Sequence, residues 1–240
     1  MRDGSSNAQA PEIPVAGRAA VTPDDPAATR LRGFGPLGIL AILAILAGTF
    51  LSPLGAILVL VWAWRSHTPW REIGYSRSRS WLRTAAVGIT LGVAFKFLMK
   101  AIVMPLLGAP PVNQAYHYLA GNPDALPGAI FTMIIVAGFG EETVFRGWMY
   151  ERLGKLLGPS VPARAAIVLL TSMLFAAAHY SVQGLAGAEQ AMISGLVLGT
   201  IFAITGRIWM VMIAHAAFDL TALWMIYSNL ETWVAHWVFR

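Results

Sequence analysis

Between Gly33 and Trp64 the chain carries no charged residue, a run longer than the ~20 apolar residues that cross a hydrocarbon core of ~30 Å. Several later stretches approach the same length. The fold class expected is therefore all-α: a multi-pass transmembrane helical bundle. Composition agrees, because 57% of the residues are hydrophobic and 12% charged, about half of the ~25% charge of a soluble domain. The formal charge of +5 and pI near 9.9 do not mark a nucleic-acid binder. The basic residues cluster beside apolar spans, where they act as a topology signal, and no nucleic-acid partner is expected. With no cysteine, disulfides, thiolate metal sites and a cysteine nucleophile are excluded. Met1 to Thr29 is polar, so no secretory signal peptide is evident.

Residues 1–33 combine Pro11, Pro14, Pro23 and Pro26 with Gly, Ser and scattered charges, too little apolar material to offset the entropy of ordering. They read as a disordered N-terminal tail, followed by a transmembrane domain over 34–240. The run 35–64 is either one long tilted helix or two short passes broken at Ser52-Pro53. Arg65, Arg71, Arg77, Arg79 and Arg83 stand against a single Glu72, which places loop 65–83 in the cytoplasm of a cell-membrane protein. A helix from Trp81 to Leu107 is interrupted only by Lys96 and Lys100, whose spacing puts both amines on one face to snorkel or to meet a carboxylate. Loop 108–126 has no Lys or Arg and belongs on the opposite side. A helix from Ala125 becomes amphipathic at Arg146, Glu151, Arg152 and Lys155 and stops at Gly158-Pro159. Helices near 163–180, 189–206 and 208–229 complete six to seven membrane segments.

Three short clusters put ionisable residues inside these apolar segments: Glu141-Glu142-Thr-Val-Phe-Arg146, Phe175-Ala-Ala-Ala-His179 and His215-Ala-Ala-Phe-Asp219. A charge at bilayer depth costs roughly 2.5–3.5 kcal/mol even on lenient scales, so such groups face a bundle interior and serve a purpose. They propose an intramembrane polar cavity. On an α-helix Glu142 and Arg146 share a face in the favourable order for an ion pair, which leaves Glu141 pointing elsewhere as a free proton acceptor. His215 and Asp219 also share a face, so the carboxylate can fix the imidazole or project into the same cavity. Phe175, one turn before His179, packs beside the site. The residue types suit two hydrolytic schemes. In one, a carboxylate and a His activate water and polar donors hold the oxyanion. In the other, two His and a carboxylate, here His179, His215 and Glu141, hold a divalent metal such as zinc.

At this point the chain resembles the CPBP intramembrane protease family, also called the Abi or CAAX-protease family. Glu141-Glu142-x-x-x-Arg146, Phe175-x-x-x-His179 and His215-x-x-x-Asp219 match its motifs in order. Gly195-Leu-Val-Leu-Gly199 and Thr205-Gly206-Arg-Ile-Trp209 resemble its approach to the last His. The likeness covers about 130–222 and extends weakly to Trp70-Arg-Glu-Ile-Gly74. It implies a multi-helix membrane endopeptidase acting on a lipidated or membrane-associated peptide or protein among membrane lipids. By that pattern Glu141 and His179 would activate water, His215 and position 219 would hold the oxyanion, and Glu142 with Arg146 would support the site. Position 219 is commonly Asn in the family and is Asp here. An ionised Asp219 would repel an oxyanion, so it would keep a proton, orient His215 or bind metal. The alternatives are a non-catalytic immunity or interaction protein that binds a peptide or partner in the same pocket, and a transporter using Lys96, Lys100 and Glu141.

With Arg164 in the cytoplasm, His179 lies about 22 Å farther along its helix at ~1.5 Å per residue, while Glu141 approaches the cytoplasmic end of its own. Either the helices are tilted or offset, or the topology differs from the one expected.

Overall fold

A computed structural model describes residues 25–51 and 53–239. Among these every regular element is helical. Helix α1, Pro26–Arg32, begins where the Asp25 carboxylate caps the Ala27 N–H and proline occupies the first turn, a position where its missing donor costs nothing. The expected tail thus includes an ordered helix at its end, and its first 24 residues lie outside the described residues. Trp62 Nε1 donates to the Leu31 carbonyl at 3.1 Å, and the Arg32 guanidinium donates to the Ser66 and His67 carbonyls.

The apolar run after it forms two helices, α2 over Pro36–Thr49 and α3 over Leu54–Arg65, packed against each other. The break at Pro53 follows from the missing proline N–H. Helix α4 spans Trp81–Leu106, α5 Pro123–Leu157, α6 Val161–Thr205 and α7 Ile208–Tyr227, and a short α8 covers Glu231–Ala235. Length and hydropathy suit α4, α5, α6 and α7 for crossing a membrane, and α1 with α2, bent by 56°, would make a fifth span if they act as one. Exposed Leu40, Leu43, Leu82, Leu170, Met173 and Leu185 give the bundle an apolar outer surface, as expected of a membrane protein.

The number of continuous helices falls below the six to seven segments expected because the helices anticipated near 163–180 and 189–206 join into one element of 45 residues. That element does not run straight. Gly184, at φ 64° and ψ −160°, occupies a region open essentially only to glycine. Beyond it the chain returns along itself: a Cβ on Gly195 would lie 2.9 Å from Ser172 Cβ, and one on Gly199 3.5 Å from Val168 Cγ1. The two arms form a hairpin whose turn lies at the end of the bundle remote from loop 65–83.

Helix α4 makes its most extensive packing with α7. Gly88 and Gly92 form a small-xxx-small face that lets the two backbones approach, and a Cβ at Gly92 would collide with the Ala214 carbonyl. Phe95, Met99 and Phe218 pack beside this contact. A second core joins α3 to α5 and α6 through Val59, Trp62, Val144, Phe145, Trp148 and Phe175.

Candidate active site

The first site helix is not a regular α-helix. Over Thr132–Glu141 and Thr143–Trp148 α5 widens to the π form, a departure that often occurs at functional positions. Thr143 helps to anchor it: its hydroxyl donates to the Phe139 carbonyl at 2.7 Å and lies 2.7 Å from the Tyr75 hydroxyl. Burial pushes the Tyr75 phenol up to about 12, so Tyr75 keeps its proton for that contact. A wider turn rotates neighbouring side chains apart by less than the ~100° of an α-helix. Glu141 therefore does not point away from Glu142; both carboxylates reach the same imidazole.

That imidazole is His215. Its Nδ1–H donates to Glu142 Oε1 at 2.7 Å, while its Nε2 lies 3.5 Å from Asp219 Oδ2 and 3.9 Å from Glu141 Oε2. Glu142 Oε1 also accepts from Arg146 Nη1 at 2.9 Å. Glu142 and Arg146 are almost fully buried, at 0% and 1% exposure, so each charge requires the other. The guanidinium carbon stands 4.8 Å from the centre of the Phe175 ring. Glu142 Oε2 and Arg146 Nε have no hydrogen-bond partner, and neither does buried Glu141 Oε2. Motif one thus splits into an internal pair that grips His215 and a carboxylate left available.

His179 approaches from the first arm of α6. Its Nδ1–H donates to the Phe175 carbonyl at 2.8 Å, which fixes the tautomer and leaves Nε2 as the acceptor. Phe175 is the aromatic centre of the site, with ring centroids 4.4 Å from His179 and 5.9 Å from His215. Glu141, His179, His215 and Asp219 line one cavity of about 290 Å³. Among the residues outside the sequence motifs that line it as well are Tyr116 and Lys96. Tyr116 accepts from Gln183 Nε2 at 3.3 Å, and burial, then the Asp219 and Glu141 charges, hold its phenol above the ordinary value. Lys96 is buried, donates to Gln190 Oε1 at 3.0 Å and lies 4.6 Å from the Phe218 ring centre. It does not snorkel. Lys100 meets a carboxylate, Glu231 Oε1, at 2.9 Å. The spacing of the two lysines put them on one face but did not show that Lys96 lines this cavity, and Tyr116 and Gln190 carried no sequence signal.

The donor set also bears on metal. Among the described residues no group of three or more His, Asp or Glu side chains is arranged to hold an ion. His215 Nδ1 is committed to Glu142 and His179 Nδ1 to a carbonyl, which leaves the two Nε2 atoms and two carboxylates around the cavity without a converged ligand set. The residues as placed do not fit a metal.

The depth conflict resolves through an offset of the helices. Helix α5 continues to Leu157, so Glu141 lies about 24 Å from that end, close to the ~22 Å separating His179 from Arg164. The charged turns extend the helix because they find partners: Glu151 pairs with Arg152 and Lys155, and Arg152 lies 4.5 Å from the Trp62 ring centre. Helix α7 starts deeper, its Ile208 N–H bonded to the Gly74 carbonyl at 3.1 Å.

With this geometry the likeness seen in the motifs has an independent counterpart. Residues 123–221 match the family model "Type II CAAX prenyl endopeptidase Rce1-like". The matched stretch contains all seven motif residues, from Glu141 to Asp219, and begins seven residues before the likeness read from the motifs. No curated protein and no solved structure matches the chain. The family match supports a membrane protease in general.

Proposed function

We propose that this CAAX-protease-family protein is an intramembrane endopeptidase that hydrolyses a peptide bond of a lipidated or membrane-associated substrate, such as a prenylated protein. The observation that carries this reading is the buried, unpartnered Oε2 of Glu141 on a cavity wall shared with His179 and His215. Burying such an oxygen without a partner is costly, and a water held for reaction would satisfy it. Glu141 takes a proton from that water while His179 Nε2 helps to hold it, and the hydroxide attacks the scissile carbonyl. His215, fixed by Glu142 and Arg146, faces the developing oxyanion with Nε2 when it carries its second proton. Asp219, beside the same nitrogen, donates to the oxyanion in its protonated form. The proton gained by Glu141 passes to the leaving amine.

The same proposal sets the protein in a cell membrane with six or seven crossings. Each arm of α6 has enough residues for about 30 Å, and these arms join α4, α5, α7 and the α1–α2 pair, with short α3 as the seventh segment. The arginines of loop 65–83 place that end in the cytoplasm.

The test is hydrolysis of a quenched fluorescent prenylated peptide by the purified full chain in lipid nanodiscs. Glu141→Gln should lower kcat/KM at least ~100-fold with the unfolding midpoint unchanged. Biological activity that survives Glu141→Gln combined with His179→Ala would move the assignment to a binding protein.

A further inference from the structure

The two ends of the bundle differ in charge and in access. The loop 65–83 end gathers Arg71, Arg77, Arg79, Arg83, Lys155, Arg164 and Arg207 on helix ends and connections. The opposite end consists of the connection 107–122, the α6 turn around Gly184 and residues 228–239, which contain no Lys or Arg; Arg240 lies outside the described residues. These segments join one another there: the Gly121 N–H donates to the Tyr227 carbonyl at 3.0 Å, and the Asn113 N–H donates to Glu231 Oε1 at 3.1 Å.

The route to the catalytic carboxylates lies at that lysine- and arginine-poor end. A vestibule of about 470 Å³ opens between Pro110, Gln114 and Val182, all exposed residues. Lys96, Asn113, Gln183, Gln190 and Ala222 belong to its wall and also to the wall of the cavity holding Glu141 and His215. At the arginine-rich end the corresponding depth is filled. Trp148, Phe145, Val144 and Phe175 are buried there, with the Glu142–Arg146 pair packed among them, and the cavity at that end, lined by Arg71, Tyr150 and Arg164, shares no residue with the catalytic one.

We infer that the catalytic cavity opens to the extracytoplasmic face, so that the substrate is a polypeptide segment or tail presented from outside the cytoplasm. The substrate clause rests on the endopeptidase reading; the direction of access does not. The positive-inside rule assigns the arginine-rich end to the cytoplasm, and the vestibule opens on the other end. The vestibule is polar enough for an extended peptide: Asn113, Gln114, Gln183 and Gln190 offer amides, and the Lys96 ammonium has one hydrogen-bonded partner, a neutral amide, among the described residues.

The absence of cysteine makes the test direct. Gln114→Cys at the rim, Ala222→Cys on the shared wall and Pro159→Cys in the α5–α6 connection are introduced singly into the full chain. Each is exposed to a membrane-impermeant maleimide in intact cells and in inverted vesicles. The expected result is labelling of positions 114 and 222 in intact cells, with position 159 labelled only in inverted vesicles. Position 114 labels with the chain folded around it whether or not Ala222→Cys, at a half-buried position, is tolerated. Labelling of position 114 only in inverted vesicles, or equally from both sides, overturns the inference. In parallel, a membrane-impermeant peptide substrate is supplied to right-side-out and inverted vesicles of wild-type and Glu141→Gln protein. Hydrolysis confined to right-side-out wild-type vesicles supports the substrate clause. Outside labelling with no hydrolysis on either side leaves the access inference standing and sinks the endopeptidase reading. Hydrolysis confined to inverted vesicles sinks the access inference.

Discussion

Arg146 reaches Glu142 through one nitrogen, Nη1, and lays the rest of its guanidinium along Phe175. The contact is a single hydrogen bond plus a cation–π face, not the two-pronged clasp an arginine can make. Arg146→Lys keeps the charge and loses the planar stack, so it should weaken hydrolysis while the protein still folds. Arg146→Ala strands Glu142 in a fully buried site and should cost about 3–5 kcal/mol of stability, read as a lower denaturant midpoint in nanodiscs. Equal hydrolysis and stability in all three proteins would show that the pair does not orient His215. Asp219 offers a second residue-scale test, because its Oδ2 lies 3.5 Å from His215 Nε2. In the hydrolytic scheme proposed here, Asn would donate to an oxyanion without needing a proton. Asp219→Asn should therefore match or exceed wild-type hydrolysis, most clearly above neutral pH, and both proteins should resist a chelator. Stoichiometric metal in active wild-type protein, lost with activity in Asp219→Asn, would replace this scheme with a metal-dependent one.

Helix α6 shows what a single element adds to those contacts. Its two arms bring Phe175 on one against Ala191 on the other, and the reversal depends on Gly184 in a glycine-only backbone region. Gly184→Val should lower the unfolding midpoint by the equivalent of at least ~1–3 kcal/mol. Gly154→Ala, in the α-helical end of α5 with open space around the added methyl, should be neutral or raise stability by up to ~1 kcal/mol. An equal response to both changes would mean that the hairpin does not depend on the Gly184 conformation. The position of this break was partly legible in sequence: two apolar runs were separable, but Gly184 sits among Gly187 and other small residues, and nothing in residue type distinguishes a sharp reversal from a tolerated helical glycine. The spacing of Glu142 with Arg146 and of His215 with Asp219 was legible because both conventional and widened helices keep residues four apart on neighbouring faces. The direction of Glu141 was not. It depends on π-form widening held partly by Tyr75 and Thr143, which are 68 positions apart. Lys96 misled for a related reason, since its amide partner Gln190 is 94 positions away and only the folded bundle makes burial of the ammonium affordable.

At the scale of the whole molecule the cavity lined by Glu141, His179, His215 and Asp219 has two different neighbours. The vestibule between α4, α6 and the 107–122 connection is rich in amides. On the other side, a groove of about 410 Å³ runs between α2 and the first arm of α6, lined by Leu46, Phe50, Phe145, Leu174, Ala178 and Val182, and it shares Glu141 and His179 with that cavity. Helix α2 ends at Thr49, and beyond it Phe50, which lines the groove, and Leu51 are exposed apolar side chains. A peptide and its attached or adjoining apolar chain could then approach the same carboxylate from separate sides, each in a medium suited to it. Ala178 is exposed in the groove and lies outside both the ion pair and the vestibule. Ala178→Trp should narrow the apolar side and reduce kcat/KM for a prenylated peptide about tenfold or more relative to the same peptide without the lipid, the effect of losing roughly two buried methylene groups of binding. The measurement is the ratio of the two kcat/KM values in wild-type and variant protein. A ratio that does not change, with the tryptophan shown by fluorescence quenching to lie in an apolar site, would remove lipid entry from this groove and leave the vestibule as the route for the whole substrate.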